Sequence, residues 1–389
     1  MLFDFVTLKL IWWVLIGLVL ILYATTAGFD FGVTLMLPFT RRHQDFESND
    51  RERRVMLNTI APTWDGNQTW LVFAGGALFV IWPVVYAATF SGMYALMLLI
   101  LWAFFLRPPG FDYRGKLPSP QWRKFWDFAL FVSALLPVFA FGLAIGNLFV
   151  GLPISFDPIM MRSFYNGNFG DLLNLFGVVC ALAALLMCLM QGAAHLNRRT
   201  SGDLQQHFRH LQRLFGVTLL LVLTLAGVLL ATQVQGYHLV SESITPDRLP
   251  FQQEVTRIPG GWFLGMMAHP WKWIPVAIAY LGIVLSLVFA GVGRGGLSFW
   301  CSSLGVSGIV AMFGSTLFPF VIPSSSSFQD SLTIWNATSA DYTLNAMLWV
   351  GAVVLLIIFI YKFLGYHALW RQKGHLTTQD VEENNHTFY

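Results

Sequence analysis

Charge is the scarcest property of this chain. Only 11% of its 389 residues are Asp, Glu, Lys or Arg, whereas soluble domains carry about 25%. Apolar runs near 20 residues long recur throughout, and the mean hydropathy is +0.61. Together these exclude an ordinary soluble domain and define an all-α polytopic membrane protein. Cysteine is nearly absent too. Cys180, Cys188 and Cys301 all lie in apolar runs without C-x-x-C spacing, so they read as small buried hydrophobes rather than disulfides or a zinc site. No His/Cys/acid cluster has metal-ligand spacing, and there is neither a phosphate-binding glycine loop nor a nucleophile elbow. The net charge of +3 is small and its basic residues cluster between apolar runs, which suits a membrane topology and not a nucleic-acid footprint. The first apolar run has no basic segment before it and no small-residue cleavage site after it, so it is expected to remain as a span.

Nine spans are expected, at about 8–38, 55–82, 84–106, 125–150, 166–192, 211–234, 272–291, 298–320 and 342–365. They form one integral membrane domain over residues 1–389. With nine spans, eighteen of the 23 Lys and Arg fall on one side; Lys9, Arg162, Arg248, Arg257 and Lys272 fall on the other. The positive-inside rule then puts the N-terminus outside and the C-terminus, with its polar tail, in the cytoplasm. Lys362 is counted here among the cytoplasmic markers.

The nine histidines all fall in loops, at helix ends or in the tail, so no pair faces another from mid-membrane to hold a haem. The intramembrane charges are more informative. Asp65 stands in A-P-T-W-D-G-N-Q-T-W, about 10 residues and about 15 Å into the second span. A carboxylate at that depth costs a few kcal/mol unless protein or water surrounds it. At helical spacing Asp65 lines up with Gln68, Thr69 and Val72. That patch suits a proton relay or an anchor for a polar cofactor edge; the alternative is a helix-end carboxylate bonded to backbone. The same two readings apply to Asp30, near the cytoplasmic end of the first span. Arg107 closes the third span, either paired with one of these acids or snorkelling at the interface. Trp64 and Trp70 flank the acidic patch and either pack against a flat cofactor or fill the core. Asp112 and Arg114 read as a structural loop pair. Ala74, Gly75, Gly76 and Ala77 would allow close helix packing.

These motifs, in order, are L-x-x-I-W-W, G-F-D-F-G, A-P-T-W-D-G-N-Q-T-W, G-G-A-L-F, F-S-G-M-Y, R-P-P-G-F-D-Y-R, I-G-N-L, F-P-F-V-I-P-S-S and S-L-T-I-W-N-A-T-S. From about residue 5 to the C-terminus the chain resembles subunit II of cytochrome bd quinol oxidase. The resemblance implies a bacterial inner-membrane, multi-pass subunit of a terminal oxidase that oxidises quinol and reduces dioxygen to water. It implies two four-helix bundles plus one peripheral helix, with a periplasmic N-terminus. Haem b and haem d would be ligated by subunit I, and in some members subunit II holds a structural ubiquinone. The expected partners are subunit I, a small single-span accessory subunit, quinol, dioxygen and membrane lipids, with no nucleic acid. By the resemblance Asp65 matches a carboxylate near a haem propionate on a cytoplasmic proton route. Asp30 and Arg107 match positions of that route, Trp64 a tryptophan beside the haems, and Trp70 one at the mouth of an oxygen path. The chain departs from many relatives at Ala27, where they have an acid before G-F-D, and at Thr63, where they have histidine before W-D. A secondary transporter, the rival class, would show paired broken helices in corresponding halves. A purely structural scaffold would leave the intramembrane acids without a task.

Overall fold

The computed structural model describes residues 3–41, 44–240, 253–372 and 375–377. The tail beyond Thr377, with its sequon at Asn385, and the loop holding Arg248 lie outside the described residues. Helix α1 (Phe5–Leu35) starts at Asp4, whose side chain accepts from Thr7 N. After it come α2 (Phe46–Asn58), α3 (Trp64–Asn67), α4 (Thr69–Ile81), α5 (Pro83–Gly92), α6 (Tyr94–Phe105), α7 (Arg107–Arg114) and α8 (Pro120–Val150). The second half contains α9 (Leu175–Arg199), α10 (Gly202–Thr232), the short α11 (Gly261–Ala268), α12 (Trp273–Gly291), α13 (Gly295–Leu317) and α14 (Asp341–Gln372). Eight helices among the described residues are long and apolar enough to cross a membrane, or nine if the bent α3–α4/α5 pair counts as one span.

The second expected span, 55–82, is not one helix. Residues 50–54, Asp-Arg-Glu-Arg-Arg, are too polar for hydrocarbon, and they belong to α2, which ends at Asn58. Pro62 has no N–H to donate and disfavours a helical Ala61, so the helix restarts only at Trp64. A second break falls at Trp82–Pro83, where the chain bends by 118°. The third expected span, 84–106, therefore divides into α5, lying across one end, and α6, which continues into α7. The fifth, expected from residue 166, starts at Leu175, because Asn174 caps it by accepting from Gly177 N at 2.8 Å. The residues before it form a hairpin and a turn.

Three antiparallel strand pairs gather at one end: β1 (Ile154–Asp157) with β2 (Arg162–Tyr165), β3 (Gln235–Leu239) with β4 (Val255–Pro259), and β5 (Phe320–Ile322) with β6 (Leu332–Thr333). They follow the ends of α8, α10 and α13 and bond to one another's surroundings, Leu152 N to Pro323 O and Tyr237 Oη to Val150 O.

Helix α1 packs on α4 and α8, α8 on α6, and α9, α10, α12 and α13 on one another, while α1 and α8 also pack on α9 and α14 lies outside, against α1 and α4. Helix α9 is central and touches α1, α8, α10 and α13. Its closest approach is to α1: a Cβ on Gly32 would collide with the Cys188 carbonyl, and one on Gly192 with Gly32 backbone. The expected packing motif at 74–77 does not act this way, since Gly75 and Gly76 have open space beside them. Of the cysteines, Cys188 is buried and the other two are half-buried; all three are free thiols.

Candidate functional site

At the end opposite the strands, α1, α3, α7 and α14 converge on a buried polar cluster. Its centre is Asn67, fully buried in the four-residue α3. Asn67 Nδ2 donates to Asp30 Oδ2 at 2.6 Å. Asn67 Oδ1 accepts from Lys362 Nζ and from Tyr366 Oη, each at 2.8 Å. Asp30 is itself fully buried near the end of α1. Two turns back along α1, Tyr23 Oη donates to Gln68 Oε1 at 3.2 Å.

Asp65 stands apart from this cluster. It lies in the first turn of α3, not ten residues into a helix, and its side chain is exposed. Two residues on is about 200° around a helix, so Asp65 faces outward while Asn67 faces in. Val72, 73% exposed, continues the outward face. Asn67, Trp70, Ala74, Ala77 and Ile81 make the inward one.

Arg107 fits neither sequence expectation. It is 1% exposed, so it does not snorkel, and it makes no ion pair or hydrogen bond. Three aromatic rings surround its guanidinium instead, with Cζ 4.7 Å from the Phe31 centroid, 5.5 Å from Trp64 and 5.9 Å from Phe111. Trp64 and Phe111 are themselves stacked, 4.9 Å apart and 10° from parallel. A guanidinium is weakly hydrated and planar, which makes it the cation best suited to such a cage. Trp70 is buried in the α1–α4–α14 seam, edge-on to Phe359 at 5.4 Å, and its indole N–H has no acceptor.

Beneath the cluster a buried ion-pair network joins α2, α7 and α8. Arg114 reaches Asp127 at 2.6 Å and Asp50 at 2.8 Å; Arg53 reaches Asp127 at 3.2 Å, and Arg123 also bonds Asp50. The loop pair expected of Asp112 and Arg114 is absent: Arg114 is buried and Asp112 exposed.

Sequence reasoning overlooked Asn67, Lys362 and Tyr366. Asn67 drew no attention because it carries no charge. Lys362 was assigned to topology, although a lysine inside an apolar run is itself a sign of a functional position. Its spacing of four from Tyr366 puts both on one face of α14.

Among the described residues no three His, Cys, Asp or Glu converge as a metal site. His195, at the end of α9, is fully buried; its ring stacks on Phe29 at 4.4 Å and its Nε2 lies 3.4 Å from Thr59 O. A separate cavity of about 740 Å³ opens at the strand end. It is mainly apolar, and Tyr237, Gln253, Trp262, His269 and Lys272 supply polar groups.

The helical groups and the buried polar cluster define a multi-pass α-helical membrane protein with ionisable residues gathered at one end of the bundle. The family described as cytochrome bd terminal oxidase subunit II matches residues 8–369, and the chain belongs to that family. It is 41% identical over 393 residues to cytochrome bd-I ubiquinol oxidase subunit 2 of Escherichia coli K12, covering 99% of this chain and all of that one. It is 38% identical to the probable cytochrome oxidase subunit 2 of Haemophilus influenzae, over 99% of this chain and all of that one. Among solved structures it resembles a chain of the bd oxidase from Geobacillus thermodenitrificans, with TM-score 0.68 at 15% identity, over 94% of this chain and all of that one. That likeness bears on the fold alone. Family and helices together make this a multi-pass protein of the bacterial cytoplasmic membrane.

Proposed function

We propose that this chain, as one integral membrane unit, completes the haem site of a partner subunit I in an oxidase that passes electrons from quinol to dioxygen. The carrying observation is a buried acid, Asp30, bonded to Asn67 at one end of the bundle, with an outward carboxylate, Asp65, two residues from Asn67 on the opposite side of α3. The haems of the complex, of b and d type and ligated by subunit I, supply electron transfer and dioxygen reduction when bound. This chain's described residues suit the edge of such a group, not its iron: the buried His195 is already stacked on Phe29, whereas Asp65 is free to face a partner.

Reducing dioxygen to water consumes a proton for each electron. Protons must therefore reach the haems through a low-dielectric layer, where uncompensated charge is expensive. Asp30 and Asp65 would take protons from the cytoplasmic side and hold them beside the partner. Arg107, with no carboxylate in contact, supplies a fixed positive charge near Asp30. Trp64 holds Arg107 in place, and Trp70 seals the α1–α4–α14 seam on the proposed oxygen path.

The orientation rests on charge. Arg41, Arg53, Arg114, Arg123, Arg198, Arg209 and Arg294 lie around the end opposite the strands, at the α1–α2, α7–α8, α9–α10 and α12–α13 connections. The positive-inside rule makes that end cytoplasmic, with the N-terminus periplasmic. The 740 Å³ cavity at the other end supports a structural ubiquinone, since its apolar lining with a few polar groups suits a quinone ring. A small single-span accessory subunit remains an expected partner.

A complex captured through this chain should show haem b and haem d bands in a reduced-minus-oxidised spectrum and quinol-driven oxygen uptake. A colourless preparation from cells that express subunit I would refute the proposal.

A further inference from the structure

We infer that Lys362, carried by the outermost helix α14, is a positioning residue of the proton route and couples the buried Asp30 to the outward Asp65 through the Asn67 amide. This rests on the proposed role of the two acids.

The chemistry of the donors fixes the arrangement. Lys362 Nζ has only protons to give, and it points at Asn67 Oδ1 from 2.8 Å. That atom is therefore the carbonyl oxygen, and the amide's NH₂ is the group left to face Asp30, 2.6 Å away. Tyr366 Oη converges on the same oxygen at 2.8 Å. Two donors from one helix thus set which way a buried amide on another helix points, and so which group meets the acid. The charges of Asp30 and Asp65 both act on Lys362.

The backbone is shaped for this approach. A Cβ on Gly66 would stand 3.0 Å from Tyr361 Oη, a tight contact, and 3.4 Å from Lys362 Nζ, an ordinary one, so Gly66 lies directly beside the lysine. Beside the contact lies a cavity of about 30 Å³, lined by Thr63, Gly66, Asn67, Tyr361, Lys362 and Tyr366. That is room for about one water molecule among several polar groups. Helix α14 has other anchors, the Trp12 indole N–H donating to Leu344 O at 3.0 Å and Trp70 packing edge-on to Phe359. The charge of Lys362 calls for another explanation, because a half-buried lysine in an apolar helix is costly.

The test compares oxygen uptake per haem in the purified complex for Lys362→Met, Lys362→Arg, Asp30→Asn and the Lys362→Met/Asp30→Asn double variant. We expect Lys362→Met to lose roughly tenfold, Lys362→Arg to recover most of it, and the double variant to be no slower than Asp30→Asn alone, the non-additivity of residues acting as one unit. Full turnover of Lys362→Met alongside a slow Asp30→Asn would overturn this inference and leave the proton route standing. Losses that multiply, with no rescue by arginine, would reduce Lys362 to a structural contact and also overturn it. Full turnover of Asp30→Asn would overturn the underlying reading. Should Lys362→Met fail to assemble, Tyr366→Phe removes one donor to Asn67 and keeps the ring; a loss in the same direction supports the inference, and full turnover contradicts it.

Discussion

Arg107 and Arg114 lie seven residues apart in R-P-P-G-F-D-Y-R, and both are buried, yet they carry opposite expectations. Arg114 neutralises Asp50 and Asp127. Removing it takes the buried cation from two carboxylates and leaves them only the partly exposed Arg53 and Arg123; breaking a buried pair from one side costs about 3–5 kcal/mol. Arg114→Met should therefore lower the melting temperature of the solubilised complex markedly. Arg107 leaves no hydrogen-bond partner behind when removed, only the more distant charge of Asp30. A well-packed apolar replacement for a buried charge is often neutral or stabilising. Arg107→Met should keep the melting temperature within a few degrees, or raise it, while turnover falls. A stable and fully active Arg107→Met would remove Arg107 from the proton route. Arg107→Lys should not restore turnover fully, since a compact hydrated ammonium does not stack between rings as a guanidinium does. The two arginines look alike in sequence, and only the placement of Asp50 and Asp127, 64 and 13 residues away from Arg114 along the chain, tells them apart.

At the scale of elements, the glycines that matter are those where helices touch backbone to backbone. Gly32→Ala would drive a methyl into the Cys188 carbonyl of α9. Overpacking of that kind typically costs about 1–3 kcal/mol. Gly75→Ala, with open space around it, should be neutral or slightly stabilising through helix propensity. Thermal unfolding of the two variants side by side checks this; equal effects would contradict the assigned α1–α9 seam. Helix existence was legible from apolar run length alone, and the long α1, α8, α10, α12, α13 and α14 match their expected spans to within nine residues at each end. What run length could not reveal was where a run breaks. Pro62, Pro83 and the Asn174 cap decide that locally, and each shifts which residue opens a helix. Asp65 was misplaced for this reason: the polar α2 was read as the start of α4's span, which put a first-turn carboxylate at mid-membrane depth.

The whole molecule shows why site residues were harder to read than the fold. Asp30, Asn67, Arg107 and Lys362 come from four helices spread over more than 300 positions, and no local spacing joins them. Charge drew attention to Asp30, Asp65 and Arg107, while neutral Asn67 and the lysine taken as a topology marker escaped it. The broken pair at Trp82–Pro83 has no counterpart in the other half among the described residues, which removes the feature a secondary transporter would show. The outward surface is rich in exposed apolar side chains, such as Val72, Leu221 and Phe363, as expected when lipid or a membrane partner takes the place of water. On the α4 side that surface carries Asp65, a carboxylate that needs a polar partner once it leaves water.

The central claim is that this carboxylate serves the partner's haem. Oxygen uptake by the Asp65→Asn complex, measured per haem against the parent complex at equal haem b and haem d content, tests it most directly. The account predicts a loss of about tenfold or more, the scale of a missing proton-transfer group, with the haem spectrum retained. Full turnover with full haem content would contradict it and leave this chain a scaffold for subunit I.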